Sequence, residues 1–124
     1  MSEEKIIALV DDDESVRESL PDLLRSFGFR VQAFASANAF LRDAEIDLLG
    51  CLVLDVAMPG MTGPQLQQEL IRQKRAVPIV FITAHSDDGA WSDLLNSGAV
   101  ACLVKPFSES AIVGAIRSAL GRES

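Results

Sequence analysis

The sequence has no long hydrophobic run. None of its apolar stretches approaches the roughly 20 residues that a helix needs to cross a bilayer. Residues 1–5 contain no basic segment followed by an apolar core, so a secretory signal is not predicted. We therefore expect a cytoplasmic protein that does not bind a membrane.

Cysteine and histidine are scarce, with two cysteines and one histidine among 124 residues. Cys51 and Cys102 both fall within predicted buried strands, where a thiol usually acts as a small apolar side chain. Disulfides are also rare in the cytosol. We therefore expect neither a disulfide nor a cysteine-based metal site.

Basic residues are outnumbered, with 11 Lys and Arg against 18 Asp and Glu and a net charge of −7. Nucleic-acid binding needs a basic patch, so this charge argues against direct contact of the domain with nucleic acid. A DNA-binding domain elsewhere in a longer chain is compatible with the sequence. The chain also lacks a Gly-x-x-x-x-Gly-Lys-Ser/Thr stretch, which excludes a P-loop nucleotide enzyme.

What the sequence does contain is an alternation of strand and helix patterns throughout residues 1–124, which we take as one domain. Four of the five predicted strands are continuous apolar runs, typical of strands buried in a parallel sheet. We predict an α/β fold, a doubly wound three-layer sandwich with five parallel strands and five helices. The predicted strands are Ile6–Val10, Arg30–Phe34, Cys51–Leu54, Ile79–Ile82 and Ala101–Val104, and the predicted helices are about 14–26, 37–44, 64–74, 87–96 and 108–120.

Polar residues follow the four apolar strands at the point where each strand ends. Asp11–Asp13 follow the first, Asp55 the third, Thr83 the fourth and Lys105 the fifth. In open parallel sheets ligands bind outside the carboxyl ends of the strands. We therefore expect these side chains to meet at one edge.

The acidic residues of this edge predict a metal site. Carboxylates of Asp11, Asp12 and Asp55 would repel one another, and a hard divalent cation would relieve the repulsion. Mg²⁺ prefers oxygen ligands and keeps several waters, so a few carboxylates suffice. A helix cap or a solvated turn is the alternative interpretation of Asp11–Asp13.

Lys105 and Thr83 add an ammonium and a hydroxyl, which together indicate a bound anion of high charge. With Asp55 as a nucleophile beside Mg²⁺, the set describes phosphoryl transfer onto an aspartate. Taken singly, Lys105 is also compatible with a surface charge and Thr83 with a helix cap. The combination of Lys105 and Thr83 with the acidic residues favours a phosphoryl-transfer site.

Four ordered motifs, Leu9–Asp12, Leu54–Gly63, Ile82–Ala84 and Lys105–Phe107, carry a resemblance to a known family. Over essentially its whole length the chain resembles the receiver (CheY-like) domain of two-component response regulators. The resemblance implies a flavodoxin-like sheet of strand order 2-1-3-4-5. It also implies a phosphoacceptor switch that is not an enzyme beyond its own Mg²⁺-dependent phosphorylation and dephosphorylation.

The resemblance also implies roles for individual residues. Asp55 would accept the phosphoryl group. Asp12 would bind Mg²⁺ directly, Asp11 would hold a metal-bound water, and the backbone carbonyl of Ala57 would complete the protein ligands together with Asp55.

Lys105 would contact the phosphoryl group, and the bond between Lys105 and Pro106 would be cis. Thr83 would move towards the phosphate once it forms. The face made by the fourth helix, the fifth strand and the fifth helix would then change its preference for partners.

The sequence departs from the family pattern at one position of the switch. Many receivers carry an aromatic residue three positions before the lysine, where this chain has Cys102. Transmission then depends on other groups, such as Phe107 or the backbone. His85, the one histidine, follows Thr83 by two residues. It would tune hydrolysis, gate access to the site or act only as a solvated loop residue.

The implied partners are a sensor histidine kinase and a downstream output domain or partner protein, with a phosphorylation-dependent homodimer as a further option. The chain would be the N-terminal part of a longer regulator or a stand-alone receiver. An alternative function is a receiver-fold interaction module that acts without phosphorylation. A haloacid-dehalogenase-type phosphatase is disfavoured, because that family has a second aspartate where this chain has Ala57.

Overall fold

The computed structural model describes residues 5–84 and 88–121. The strands are β1 (Ile6–Val10), β2 (Arg30–Phe34), β3 (Leu49–Asp55), β4 (Ile79–Thr83) and β5 (Ala101–Val104). The helices are α1 (Glu14–Ser26), α2 (Ala37–Asp43), α3 (Gly63–Arg72), α4 (Asp88–Asn96) and α5 (Glu109–Gly121), with a short 3-10 helix at Ile46–Leu48. No helix in those two ranges is long and apolar enough to cross a membrane.

The five strands form one parallel sheet in the order β2-β1-β3-β4-β5, which confirms the predicted α/β fold. The strand order reverses at β1, which pairs with β2 on one side and with β3 on the other. Val10 at the end of β1 lies opposite Leu54 near the end of β3. A crevice at such a reversal is where doubly wound sheets bind ligands.

The hydrophobic core has two layers, one on each face of the sheet, because successive strand residues point to opposite faces. Alternate residues of β1, such as Ala8 and Val10, pack with residues of α2, α3 and α4, among them Phe40 and Leu66. The intervening residues of β1 pack with residues of α1 and α5. The result is the three-layer arrangement expected from the sequence.

Side chains cap the helices that follow β1, β2 and β3. Asp13 accepts from the backbone of Ser15 at 2.9 Å at the start of α1, and Ser36 caps α2. Thr62 and Gln65 form a reciprocal capping box at the start of α3. Each cap satisfies a backbone donor that the helix cannot pair internally.

Three sequence expectations are wrong in detail. β5, including Cys102, is half-buried rather than buried, because it is the last strand of the sheet and has a neighbour on one side only. The apolar pattern of the third predicted helix indicates that Leu66, Leu70 and Ile71 are buried, but Ile71 is 52% exposed, whereas the adjacent Leu70 is 2% exposed. β3 begins at Leu49, two residues earlier than predicted, directly after the 3-10 helix. As expected, Cys51 and Cys102 are not joined by a disulfide.

The two neighbours Leu70 and Ile71 provide a matched test of this packing. Leu70→Ala leaves a cavity in the core, and we expect it to lower the free energy of unfolding by about 2–5 kcal/mol. Ile71→Ala removes an exposed side chain from the same helix turn, and we expect a change within about 0.5 kcal/mol. Urea denaturation measures both, and a similar loss in the two variants would contradict the assigned packing of α3.

Candidate functional site

Three carboxylates meet at the carboxyl ends of β1 and β3. Asp11 follows β1 directly, and Asp55 is the last residue of β3. One carboxylate oxygen from each of Asp11, Asp12 and Asp55 lies within 4.8 Å of the others. Asp11 is 0% exposed and Asp55 is 5% exposed, while Asp12 faces solvent. The cluster therefore consists of two buried carboxyl groups and a third that is accessible to solvent.

Lys105 is the ammonium of this cluster. Its Nζ donates to Asp11 Oδ2 at 2.8 Å and lies 3.7 Å from Asp55 Oδ1. Partial burial lowers the pKa of Lys105, but the hydrogen bond and the negative charge of Asp11 outweigh burial and leave the pKa raised. The group therefore stays charged and partly offsets the negative charge of the two acids.

Asp55 is the carboxyl group most affected by this crowding. Burial, followed by the charge of Asp11, raises the pKa of Asp55 to about 7, although Lys105 acts in the opposite direction. Without a further cation, the buried carboxyl group therefore holds a proton near neutral pH.

The donor set fits a hard divalent cation. Among the described residues it offers three carboxylates and no sulfur or imidazole ligand, and the exposed Asp12 leaves room for the waters that Mg²⁺ retains. The backbone carbonyl of Ala57 belongs to the loop directly after β3, and Ala57 is exposed. A divalent cation among these oxygens would replace the proton on Asp55.

Asp13 does not belong to the cluster, although it continues the acidic run. Its Oδ1 accepts from the backbone and from the hydroxyl of Ser15, at 2.9 and 2.7 Å. The Ser15 hydroxyl and backbone hydrogen bonds hold the pKa of the Asp13 carboxyl below its usual value. Asp13 is therefore the helix cap, and the cap interpretation of the run applies to this residue alone.

Thr83 lies at the same edge, as the last residue of β4, and is 5% exposed. Its backbone oxygen accepts from the Lys105 amide at 2.7 Å, so the ends of β4 and β5 are directly joined. Ala84 after it is exposed. The bond between Lys105 and Pro106 is cis, as the resemblance implies.

Of the three expected modulators, the two that lie within the described residues pack on opposite faces of the sheet. Cys102 packs against the core layer of α2, α3 and α4, whereas Phe107 packs against the layer of α1 and α5. Burial raises the pKa of the Cys102 thiol, so the thiol stays protonated near neutral pH. His85 lies outside the described residues.

Two residues contribute to the site through contacts that the sequence does not predict. Arg17 of α1 donates from Nη1 to the backbone oxygen of Asp11 at 3.0 Å, and no motif marks that contact. A Cβ at Gly63 would collide with the backbone carbonyl of Asp55, a contact that the position of Gly63 at the end of the motif Leu54–Gly63 does not predict. The close approach seats the start of α3 against the backbone of Asp55, the last residue of β3.

The model of the response regulator receiver domain family matches residues 7–117. The chain belongs to this family. Its curated relatives include proteins named as response regulators and as transcriptional regulatory proteins.

Several named relatives share this receiver domain. The chain is 44% identical over 118 residues to the response regulator protein TmoT of Ectopseudomonas mendocina, covering 95% of this chain and 54% of the relative. It is 41% identical over 122 residues to nodulation protein W of Bradyrhizobium diazoefficiens, covering 98% and 54%. The receiver domain thus spans about half the length of these relatives.

Solved structures agree with the fold. The response regulator StyR superposes with a TM-score of 0.90 and 45% identity, over 97% of this chain and 61% of that one. The FixJ-N structure superposes with a TM-score of 0.87 and 36% identity, over 97% of this chain and 96% of that one.

The raised pKa of Asp55 predicts a pH-dependent stability of the metal-free receiver domain. The folded state holds this proton more tightly than the unfolded chain, so the free energy of unfolding falls as pH rises from about 4 to about 7. Asp55→Asn removes the ionisable carboxyl group and therefore this pH-dependent loss of stability. In a chelating buffer near pH 8 we expect it to be more stable than the natural protein by on the order of 1–3 kcal/mol, with a smaller difference near pH 5.

Denaturant titrations of the two proteins across this pH range measure the effect. Asp22→Asn is the control, because the Asp22 side chain is 82% exposed and lies on the outside of α1. A difference between Asp55→Asn and the natural protein that does not change with pH would contradict the assigned charge state.

The close approach at Gly63 predicts a second effect. Gly63→Ala must push the loop away from Asp55, and we expect a loss of about 1–3 kcal/mol in the free energy of unfolding. Gly114→Ala is the matched control, because a Cβ there meets open space on α5 and should stabilise the helix by up to about 1 kcal/mol. Thermal or urea denaturation compares them, and equal stability of the two variants would refute the close packing at Gly63.

Proposed function

We propose that this receiver domain accepts a phosphoryl group on Asp55 from the phosphohistidine of a sensor histidine kinase. The aspartyl phosphate then controls an output domain or a partner protein. The observation that carries the proposal is the position of Asp55. Its carboxylate lies within 4.8 Å of the oxygens of Asp11 and Asp12 and 3.7 Å from the Lys105 ammonium.

Asp11, Asp12 and Asp55, with the backbone carbonyl of Ala57, are the residues that would hold Mg²⁺. When bound, Mg²⁺ neutralises negative charge on the carboxylates and on the oxygens of the transferring phosphoryl group. The exposed Asp12 and Ala57 leave this edge open to a donor.

In the transfer step, a carboxylate oxygen of Asp55 attacks phosphorus. The new bond joins oxygen to phosphorus, and the bond between phosphorus and the histidine nitrogen breaks. The departing imidazole nitrogen takes up a proton from water. In self-dephosphorylation, a water oxygen would attack phosphorus and the bond between phosphorus and the Asp55 oxygen would break. The products would be the Asp55 carboxylate, inorganic phosphate and a proton released to solvent.

Lys105 and Thr83 would respond to the new phosphate. The Lys105 ammonium, now between Asp11 and Asp55, would pair with a phosphoryl oxygen. The Thr83 hydroxyl would donate to another. Because the Thr83 carbonyl bonds the Lys105 amide at 2.7 Å, a shift of either residue would move the ends of β4 and β5 together.

The surface formed by α4, β5 and α5 would transmit this shift. Cys102 lies in β5 with its side chain among the residues that pack with α4, so the strand itself rather than an aromatic rotation would carry the change. A homodimer formed after phosphorylation is one route to the output. We place this signalling in the cytoplasm, with the output domain supplied by a longer chain, as in relatives about twice this length.

The proposal predicts that Mg²⁺ and acetyl phosphate, a small phosphodonor, add one phosphoryl group to the protein. Intact-mass spectrometry measures the addition. We expect none with Asp55→Asn or in a chelating buffer, and a rate well below that of the natural protein with Lys105→Met, because the phosphoryl oxygens then lack their ammonium.

Asp22→Asn is the matched control and should be phosphorylated normally, since this carboxylate is exposed on α1. A purified sensor kinase then serves as a second donor. Failure with both donors, in folded protein that binds Mg²⁺, would overturn the proposal and favour an interaction module that acts without phosphorylation. Phosphorylation retained in Asp55→Asn would place the acceptor elsewhere.

A further inference from the structure

Arg17 supports the acidic cluster from α1. It is half-buried, and its Nη1 donates to the backbone oxygen of Asp11 at 3.0 Å. Asp11 is wholly buried, and a buried backbone carbonyl requires a donor. The guanidinium therefore holds the peptide group that joins Asp11 to Asp12.

Among the described residues, Arg17 supplies the hydrogen bond to the Asp11 carbonyl, while other groups bond the amide and the carboxylate of Asp11. The Asp11 amide donates to Phe34 O at 3.2 Å, and Oδ1 accepts from the Asp13 amide at 2.9 Å. Oδ2 accepts from Lys105. Under the proposed function Lys105 exchanges this contact for a phosphoryl oxygen, which leaves the backbone bonds and Arg17 to hold the turn.

We propose that Arg17 is a positioning residue of the metal site. It fixes the peptide between Asp11 and Asp12, and so the direction in which the exposed Asp12 carboxylate meets the two buried ones. The bond goes to a backbone oxygen and occupies no carboxylate oxygen. The inference rests on the metal-dependent function proposed above. Groups that orient metal ligands in this way commonly change metal affinity by about 10–100-fold when they are removed.

The direction of the change in Mg²⁺ affinity distinguishes a positioning role of Arg17 from a purely electrostatic one. A guanidinium beside a cation site repels the cation, so loss of the positive charge alone would tighten Mg²⁺ binding. Loss of the fixed Asp11–Asp12 peptide would weaken it. A positioning role therefore requires weaker binding in a variant that lacks the Arg17 charge.

Arg25 is a close internal control. It lies on the same helix, and its Nη2 donates to the backbone oxygen of Val31 at 3.0 Å. Arg25 and Val31 are separated by six positions, as are Arg17 and Asp11. Arg25→Met therefore loses the same kind of bond, but from the last turn of α1, whereas the cluster lies beside the first.

The test compares Arg17→Met, Arg17→Lys and Arg25→Met with the natural protein. Calorimetric titration with Mg²⁺ should show a Kd about tenfold higher in Arg17→Met, with most of the affinity restored in Arg17→Lys, which keeps a donor and the charge. Arg25→Met should bind like the natural protein. In metal-free protein, hydrogen exchange of the Asp13 amide, which bonds Asp11 Oδ1, should accelerate in Arg17→Met and not in Arg25→Met.

Unchanged or tighter Mg²⁺ binding in Arg17→Met would overturn the inference, as would an equal loss in Arg25→Met or a natural protein that binds no Mg²⁺. Arg17→Gln provides the same test of sign if Arg17→Met does not fold. Phosphorylation of the natural protein by acetyl phosphate is measured separately. If it fails while the affinity pattern holds, the proposed function is lost and the positioning role of Arg17 stands.

Discussion

Repulsion between the acidic side chains at the carboxyl ends of β1 and β3 is the constraint on which this edge of the sheet depends. β1 and β3 are neighbours in the sheet, so the residues that end them, Asp11 and Asp55, are brought together in a buried crevice. Burial weakens the screening of their repulsion, and one ammonium, that of Lys105, directly opposes it. The edge is therefore arranged to accept more positive charge. Under the proposed function, Lys105 and Thr83 would then hold an anion at this edge.

Lys105 connects this charge balance to the rest of the sheet. Its ammonium contacts the acids at the ends of β1 and β3, while its amide bonds the carbonyl of Thr83 at the end of β4. Lys105, which follows β5, thus contacts residues at the ends of three other strands, β1, β3 and β4. Under the proposed function, a change in what occupies the crevice would act on β4 and β5 through these bonds, without an aromatic side chain at position 102.

Most of the fold could be predicted, because four strands are continuous apolar runs that only a buried parallel sheet accommodates. Two of the wrong expectations, those for Ile71 and for β5, have a common cause. Ile71 and Leu70 are both apolar and adjacent on α3, and periodicity could not show which one faced the sheet and which faced solvent. Cys102 sits in an apolar run like that of β1, yet β5 is half-buried because strand order makes it an edge. Exposure of this kind depends on which elements become neighbours.

The same distinction, between what the sequence specifies and what depends on neighbours in space, applies to the candidate site. The sequence by itself determined which residue types end the strands, because a polar residue directly after a buried strand must emerge at the sheet edge. The tertiary structure alone decided their partners. Lys105 and Asp11 are separated by 94 positions and still form a 2.8 Å bond, whereas Asp13, two positions from Asp11, turns away to cap α1. Arg17 and Gly63 gained their importance in the same way, since a hydrogen bond or a close contact depends on distance in space, which chain spacing does not specify.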